Sequence, residues 1–299
     1  MFTRREFGTL AIAGLAFPRI ADAFGAVNGV HIGVQTYSFR DLPRPAGATD
    51  SVDVVIKAMH DAGVAECELF APQLEPQFAQ GARGQRGAPP SPEAVKARED
   101  LRKWRLETSL DHFKNARKKF DAAGITITAY CYNMNASFTD AELNRGFEMT
   151  KALGAPVMTT STQMEVARRL APMADTHKLP VGLHGHSNVT DPNEFATPES
   201  FATAMKMSKY LKVNLDIGHF VSADFDPVAY IREHHADITN LHLKDRKKHQ
   251  GDTPIKEVLQ LLKKEKWPIP ADIEYEYRGT GTSPQEVKKC VEFAKQALA

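Results

Sequence analysis

Lys212-Val213-Asn214-Leu215-Asp216-Ile217 reads as a strand, Asp226 to His234 as a helix, and Ile238-Thr239-Asn240-Leu241-His242-Leu243-Lys244 as a second strand. This succession is the unit of a parallel sheet, because a parallel neighbour is reached only through a crossover, usually a helix. The same rhythm runs outward in both directions. Upstream, strands are expected at His31–Tyr37, Ala65–Phe70, Ile125–Tyr132, Pro156–Thr160 and Pro180–His184. Helices are expected between them at Val52–Ala62, Ser109–Ala123, Asp140–Leu153, Met164–His177 and Pro198–Tyr210. Downstream come a helix at Pro254–Lys264, a strand at Ala271–Tyr275 and a last helix at Pro284–Leu298. In the first helix Val55, Met59 and Ala62 recur at helical spacing, and Gly63 ends it.

Eight strand–helix units in strict alternation predict an α/β chain closed into a (β/α)8 TIM barrel. An open doubly wound sheet is the rival, but no G-x-G-x-x-G follows the first strand. The barrel is expected as a single domain over 27–299. One segment breaks the rhythm: residues 74–106, with Gly81, Gly84, Gly87, Pro89, Pro90 and Pro92, read as a loop insertion after strand two. At that place a loop would lie over the mouth of a barrel, as a lid or an interface element, or else as a disordered insertion.

The chain has 299 residues with a net charge of +1, so no field favours nucleic acid or an anionic membrane. Its three cysteines, Cys67, Cys131 and Cys290, match no zinc or redox spacing and read as structural thiols. The N-terminus places Arg4-Arg5 before the apolar run Phe7 to Phe17, and Ala21-Asp22-Ala23 supplies a small-residue cleavage site. We read residues 1–23 as a twin-arginine (Tat) export signal peptide, too short in its apolar part to span a bilayer. Extracytoplasmic, periplasmic localisation is therefore expected, with no membrane span once the signal is cleaved.

In such a barrel the polar residues at strand C-termini face the active site. Strand five ends in His184-Gly185-His186-Ser187-Asn188 and strand six in Asp216-Ile217-Gly218-His219. Strand seven carries His242 and Lys244-Asp245, and strand eight carries Glu274, Glu276 and Arg278. Four consecutive strand ends bearing imidazoles and carboxylates point to a metal or sugar site. That donor set suits Mn, Co, Mg, Zn or Fe, with no sulfur to narrow the choice. Tyr37, Phe39 and Tyr132 are candidates to stack on a sugar face, or else core residues. Glu68 is a candidate to bind a hydroxyl or pair with an arginine.

The pattern Asp216-x-x-His219, His242-x-Lys244-Asp245 and Ile273-Glu274 resembles the xylose isomerase-like TIM-barrel superfamily, often labelled sugar phosphate isomerase/epimerase. The start, Ile32-Gly33-Val34-Gln35-Thr36-Tyr37-Ser38, resembles that family's first strand. The resemblance implies one divalent metal held by a Glu, an Asp, a His and a second Glu. Asp216, His242 and Glu274 match the last three, with Glu276 a weaker candidate for the fourth. At the first position this chain has His184 in place of Glu; His184, His186, Asn188 or a water would fill it.

The resemblance further implies an isomerase, epimerase or lyase of sugar metabolism, working on a small-molecule sugar or keto-sugar by metal-assisted enolisation. Glu274, or a histidine, would take the α-proton, and His219 or Lys244 would act as the acid. Tyr37, His186 and Arg278 would bind substrate. Loss of the first Glu weakens two-base epimerisation and leaves dehydratase, hydratase or lyase chemistry, or a non-catalytic sugar-binding barrel, as alternatives. A nuclease is disfavoured by the neutral charge. A homo-oligomer stays open.

Overall fold

The computed structural model describes residues 26–78, 91–244, 253–276 and 279–299. The export signal over 1–23, Arg278 and Asp245 lie outside the described residues. A short hairpin opens the fold: β1 (Ala26–Val27) runs antiparallel to β2 (Val30–Gln35). Its turn residues Asn28 and Gly29 have φ of 49° and 84°, the two left-handed positions such a turn requires. Then follow β3 (Glu66–Phe70), β4 (Thr126–Cys131), β5 (Met158–Thr160), β6 (Val181–His184), β7 (Leu211–Asp216), β8 (Ile238–Leu243) and β9 (Ala271–Ile273). From β2 to β9 every neighbouring pair is parallel. β9 returns to β2, with Ile32 opposite Ala271 and Val34 opposite Ile273. Eight parallel strands thus close into the expected barrel.

The helices form the outer layer: α1 (Val52–Ala62), α2 (Pro92–Glu107), α3 (Leu110–Ala122), α4 (Asp140–Ala152), α5 (Met164–His177), α6 (Pro198–Met205), α7 (Ile217–Ser222), α8 (Pro227–His234), α9 (Ile255–Glu265) and α10 (Ser283–Leu298). Apart from α2, each long helix turns an apolar stripe inward. α1 buries Val52, Val55, Met59 and Ala62, and α10 buries Val287, Val291, Ala294 and Leu298. They meet strand residues such as Val213, Leu215, Leu241 and Ile273 in one core cluster. At ~25 cal/mol per Å² of apolar surface removed from water, this layer carries most of the fold's stability.

Three expectations change. The segment 74–106 is not loop throughout, because its second half is α2. Ser91 caps α2 by accepting from Ala94 N–H, and Pro92 sits at its first position, where a missing N–H costs nothing. α2 buries none of its residues fully, but Arg105 reaches back to Glu75 through a two-pronged ion pair, Nε to Oε1 at 2.6 Å and Nη2 to Oε2 at 2.9 Å. Ile217 does not end a strand; it begins α7, whose N-cap is Asp216. The helix expected over 198–210 stops at Met205. No helix among the described residues is long and apolar enough to cross a membrane.

Candidate metal centre

The pleat decides which side chains enter the barrel. On β7, Asn214 and Asp216 point inward while Val213 and Leu215 face the helices; on β8 the inward residues are Asn240, His242 and then Lys244 just beyond the strand; on β9 and after it, Asp272 and Glu274. Small residues make room: a Cβ at Gly182 on β6 would lie 2.4 Å from Thr239 Oγ1. These strands run in register, His184 beside Asn214, Asp216 beside His242 and Leu243 beside Ile273, so their ends finish at one level.

There the structure gathers His184, Asp216, His242 and Glu274, all four buried, each offering one ligand atom within 4.8 Å of every other. Donors about 2.0–2.2 Å from a shared ion lie at most ~4.4 Å apart across it, so the four fit one cation after a small contraction. His242 Nδ1 lies 3.2 Å from Glu274 Oε2, the spacing of two adjacent ligands. His184 Nε2 lies 3.9 Å from Asp216 Oδ2. Two imidazoles and two carboxylates form a set for a borderline or hard divalent ion. These four residues fit such an ion.

The electrostatics agree. Burial, with His242 beside it, pushes the His184 imidazole well below its usual value, so it is neutral with a lone pair to give. Burial raises Asp216 to about 6 even though Lys244 pulls the other way. Burial would also raise Glu274, but the His242 imidazole and the Lys244 ammonium override it and hold the carboxyl well below the usual carboxylate range. His242 is driven up against its burial by Glu68 and Glu274 on its two sides. Lys244 stays charged despite burial: Nζ lies 2.8 Å from Glu274 Oε2, 2.9 Å from Glu276 Oε2 and 3.3 Å from Asp216 Oδ2. An ammonium so held offers charge and hydrogen bonds before it offers a proton.

Asp216 divides its carboxylate. Oδ1 accepts from His219 N–H at 2.7 Å and caps α7, while Oδ2 faces Lys244 and the histidines. The Asp-x-x-His spacing is thus a helix-start turn that aims His219 at the same oxygen, Nε2 to Oδ2 3.9 Å.

Above the cluster opens a cavity of about 320 Å³. Tyr37, His186, His219, Lys244 and Glu276 line it, together with Gln35, Phe70, Asn133 and Ser161. Tyr37 meets Phe70 edge-to-face at 5.1 Å, and the Arg40 guanidinium stacks 4.3 Å from its ring centre. His186 Nε2 lies 3.1 Å from Ser161 Oγ, and His219 Nδ1 3.3 Å from Ser187 Oγ. Glu276 lines the cavity but stands outside the four-ligand group. Asn188 turns away, accepting from Thr190. Phe39 and Tyr132 are core residues and do not line the cavity; Tyr132 stacks on Tyr130 at 6.0 Å.

Glu68 lines the cavity floor and pairs with no arginine among the described residues. It is fully buried and accepts from Thr159, Asn214, Asn240 and His242. Asn214, Asn240 and Asp272 were not singled out in the sequence. Their signal is their place two residues before Asp216, His242 and Glu274, on the same inward face.

A family model described as "Xylose isomerase-like TIM barrel" matches residues 56–297. Among curated proteins, none matches the chain in sequence. Several solved structures share the fold at low identity. A sugar phosphate isomerase/epimerase from Parabacteroides distasonis is 17% identical with a TM-score of 0.57, covering 88% of this chain and 93% of that one. The 3-keto-D-glucoside 4-epimerase YcjR from E. coli is 11% identical with a TM-score of 0.60, covering 89% and 99%. The probable 3-DHS dehydratase AsbF from Bacillus anthracis is 12% identical with a TM-score of 0.58, covering 87% and 98%. The barrel, its four-ligand mouth and the family match lead to one assignment: this chain belongs to the xylose isomerase-like TIM-barrel family.

Proposed function

We propose that this protein is a metal-dependent enzyme that isomerises or epimerises a sugar or keto-sugar through an enolised form, with the metal held by His184, Asp216, His242 and Glu274. The observation that carries the reading is the convergence of those four buried groups within 4.8 Å at the floor of a cavity. When bound, the ion would supply Lewis acidity toward a carbonyl and its neighbouring hydroxyl. Glu274, a carboxylate at the cavity floor, takes the proton from the carbon next to the carbonyl. Lys244 places a fixed positive charge beside it, favouring the negative charge that develops. His219 reaches the leaving or developing oxygen from the α7 side. Gln35, Asn133, Ser161 and His186 offer hydrogen bonds to hydroxyls, and Tyr37 with Phe70 forms the apolar wall. The cavity lies at the small end of the ~300–1,000 Å³ range of ligand sites, the size for a monosaccharide unit.

The ion would be Mn, Co, Mg or Zn. A dehydratase or hydratase on the same site is the second reading. His184 removes the second carboxylate that a two-base epimerisation needs, whereas elimination needs one base. The names of the fold neighbours, an epimerase of a keto-glucoside and a dehydratase, fit both readings. Export by the twin-arginine pair Arg4-Arg5 would place the enzyme in the periplasm and its substrate among unphosphorylated sugars; retention of an Arg4→Lys, Arg5→Lys double variant inside the cell tests this.

The deciding experiment incubates metal-loaded protein with ketoses and 3-keto-glycosides in D2O and follows them by NMR. Deuterium at the carbon beside the carbonyl supports enolisation. Loss of a hydroxyl with formation of a double bond selects the dehydratase. Binding without exchange into any of them leaves a sugar-binding barrel in place of an enzyme.

A further inference from the structure

Glu68 enters the barrel from β3, across from the ligand-bearing strands. Each of its oxygens takes two donors. Oε1 receives the Thr159 hydroxyl and the Asn214 amide, the latter at 3.3 Å; Oε2 receives the Asn240 amide at 2.9 Å and the His242 imidazole at Nε2. The orientation of Asn240 is fixed independently. Its amide nitrogen also donates to Asp272 Oδ2 at 3.0 Å, and its oxygen accepts from Thr239 at 3.0 Å. Asn214 Nδ2 lies 3.2 Å from the same ring nitrogen but donates to Glu68 Oε1, and a carboxylate ringed by donors takes a proton from the ring nitrogen that faces it, so His242 carries its proton on Nε2. The other nitrogen, Nδ1, faces Glu274 and the cluster.

We infer that Glu68 is a positioning residue: it holds His242 with the proton on Nε2 and thereby commits Nδ1 to the cation. The inference rests on the metal reading above. Carboxylate–histidine–metal chains orient the ring and raise its basicity, and losing the outer member typically costs about 10–100-fold in metal affinity. The geometry also explains why glutamate serves here and glutamine would not. An amide can present its oxygen to only one of the two donor pairs, so its NH2 would face either Asn240 and His242 or Thr159 and Asn214.

The test uses the whole chain with ¹⁵N-labelled histidine and zinc as the diamagnetic probe. In the zinc-loaded protein we expect His242 coordinated through Nδ1, with a slowly exchanging proton on Nε2. Glu68→Gln should weaken zinc binding by about 10–100-fold and release that proton to fast exchange, while circular dichroism shows the fold retained. Zinc on Nε2 with the proton on Nδ1 overturns the inference. So does a Glu68→Gln protein with unchanged affinity and a protected Nε2 proton. Should Glu68→Gln fail to fold, the wild-type tautomer decides alone. Should the wild type take up no zinc, the metal reading falls by itself. The metal-free His242 then decides for Glu68: a protected Nε2 proton supports its hold on the ring, and an unprotected one removes it.

Discussion

On β7, Val213 and Leu215 look outward into the helical layer, while Asn214 and Asp216, each one residue along, look into the barrel. β8 repeats the division, Leu241 and Leu243 against Asn240 and His242, and β9 follows with Ala271 and Ile273 against Asp272. Barrel interiors are usually filled by branched apolar side chains. Here the outward face does the work of a core, and the inward face is a network of carboxylates, amides and imidazoles. The outward face gains free energy by leaving water. The inward face loses its hydration and recovers it only through hydrogen bonds and opposite charges. Stability and chemistry are thus assigned to alternate residues of the same strands.

That division can be broken from either side. Glu274→Gln should lower turnover by roughly 10²–10⁴-fold while the chain still folds, at a lower melting temperature because Lys244 and His242 lose a buried partner; steady-state kinetics and calorimetry on one preparation check it, and full activity removes Glu274 from the mechanism. Leu215→Ala, one residue from Asp216 but on the other face, should cost about 2–5 kcal/mol in denaturant unfolding and leave metal affinity of the folded protein unchanged. Acid should act on the inward face alone. The Asp216 carboxyl, raised to about 6, and the protonated His242 must both give up protons to a cation. Metal affinity should therefore fall at least about tenfold from pH 7 to pH 5, and calorimetric titration would show protons released on binding. In the metal-free chain the sign reverses for Asp216. A raised pKa favours the fold fully below the unfolded value of 3.8, and that contribution is lost as pH rises through 6. Tyr37→Ala, at the rim, should raise KM several-fold with kcat nearly unchanged. Val189→Ser, exposed beyond the mouth, should shift stability by no more than about 0.5 kcal/mol.

The alternation of strands and helices was plain in the sequence because each unit carries its own periodicity. The four groups that meet in the buried cluster were legible because each stands at the end of an apolar strand. α2 escaped notice: the glycines and prolines of 81–92 dominate that stretch, and the helix has no fully buried face to leave an apolar stripe. Ile217 read as strand because it is apolar, whereas the cap made by Asp216 turns it into helix. Glu68 could not be placed, since its partners come from β5, β7 and β8, far along the chain. Tyr132 resembled a platform for sugar and is instead held in the core between Tyr130 and Phe138.

The divided carboxylate of Asp216 ties two places together. One oxygen fixes the first turn of α7 and the other faces the four-residue cluster, so a substitution at this one position would loosen the turn that carries His219 as well as the cluster itself.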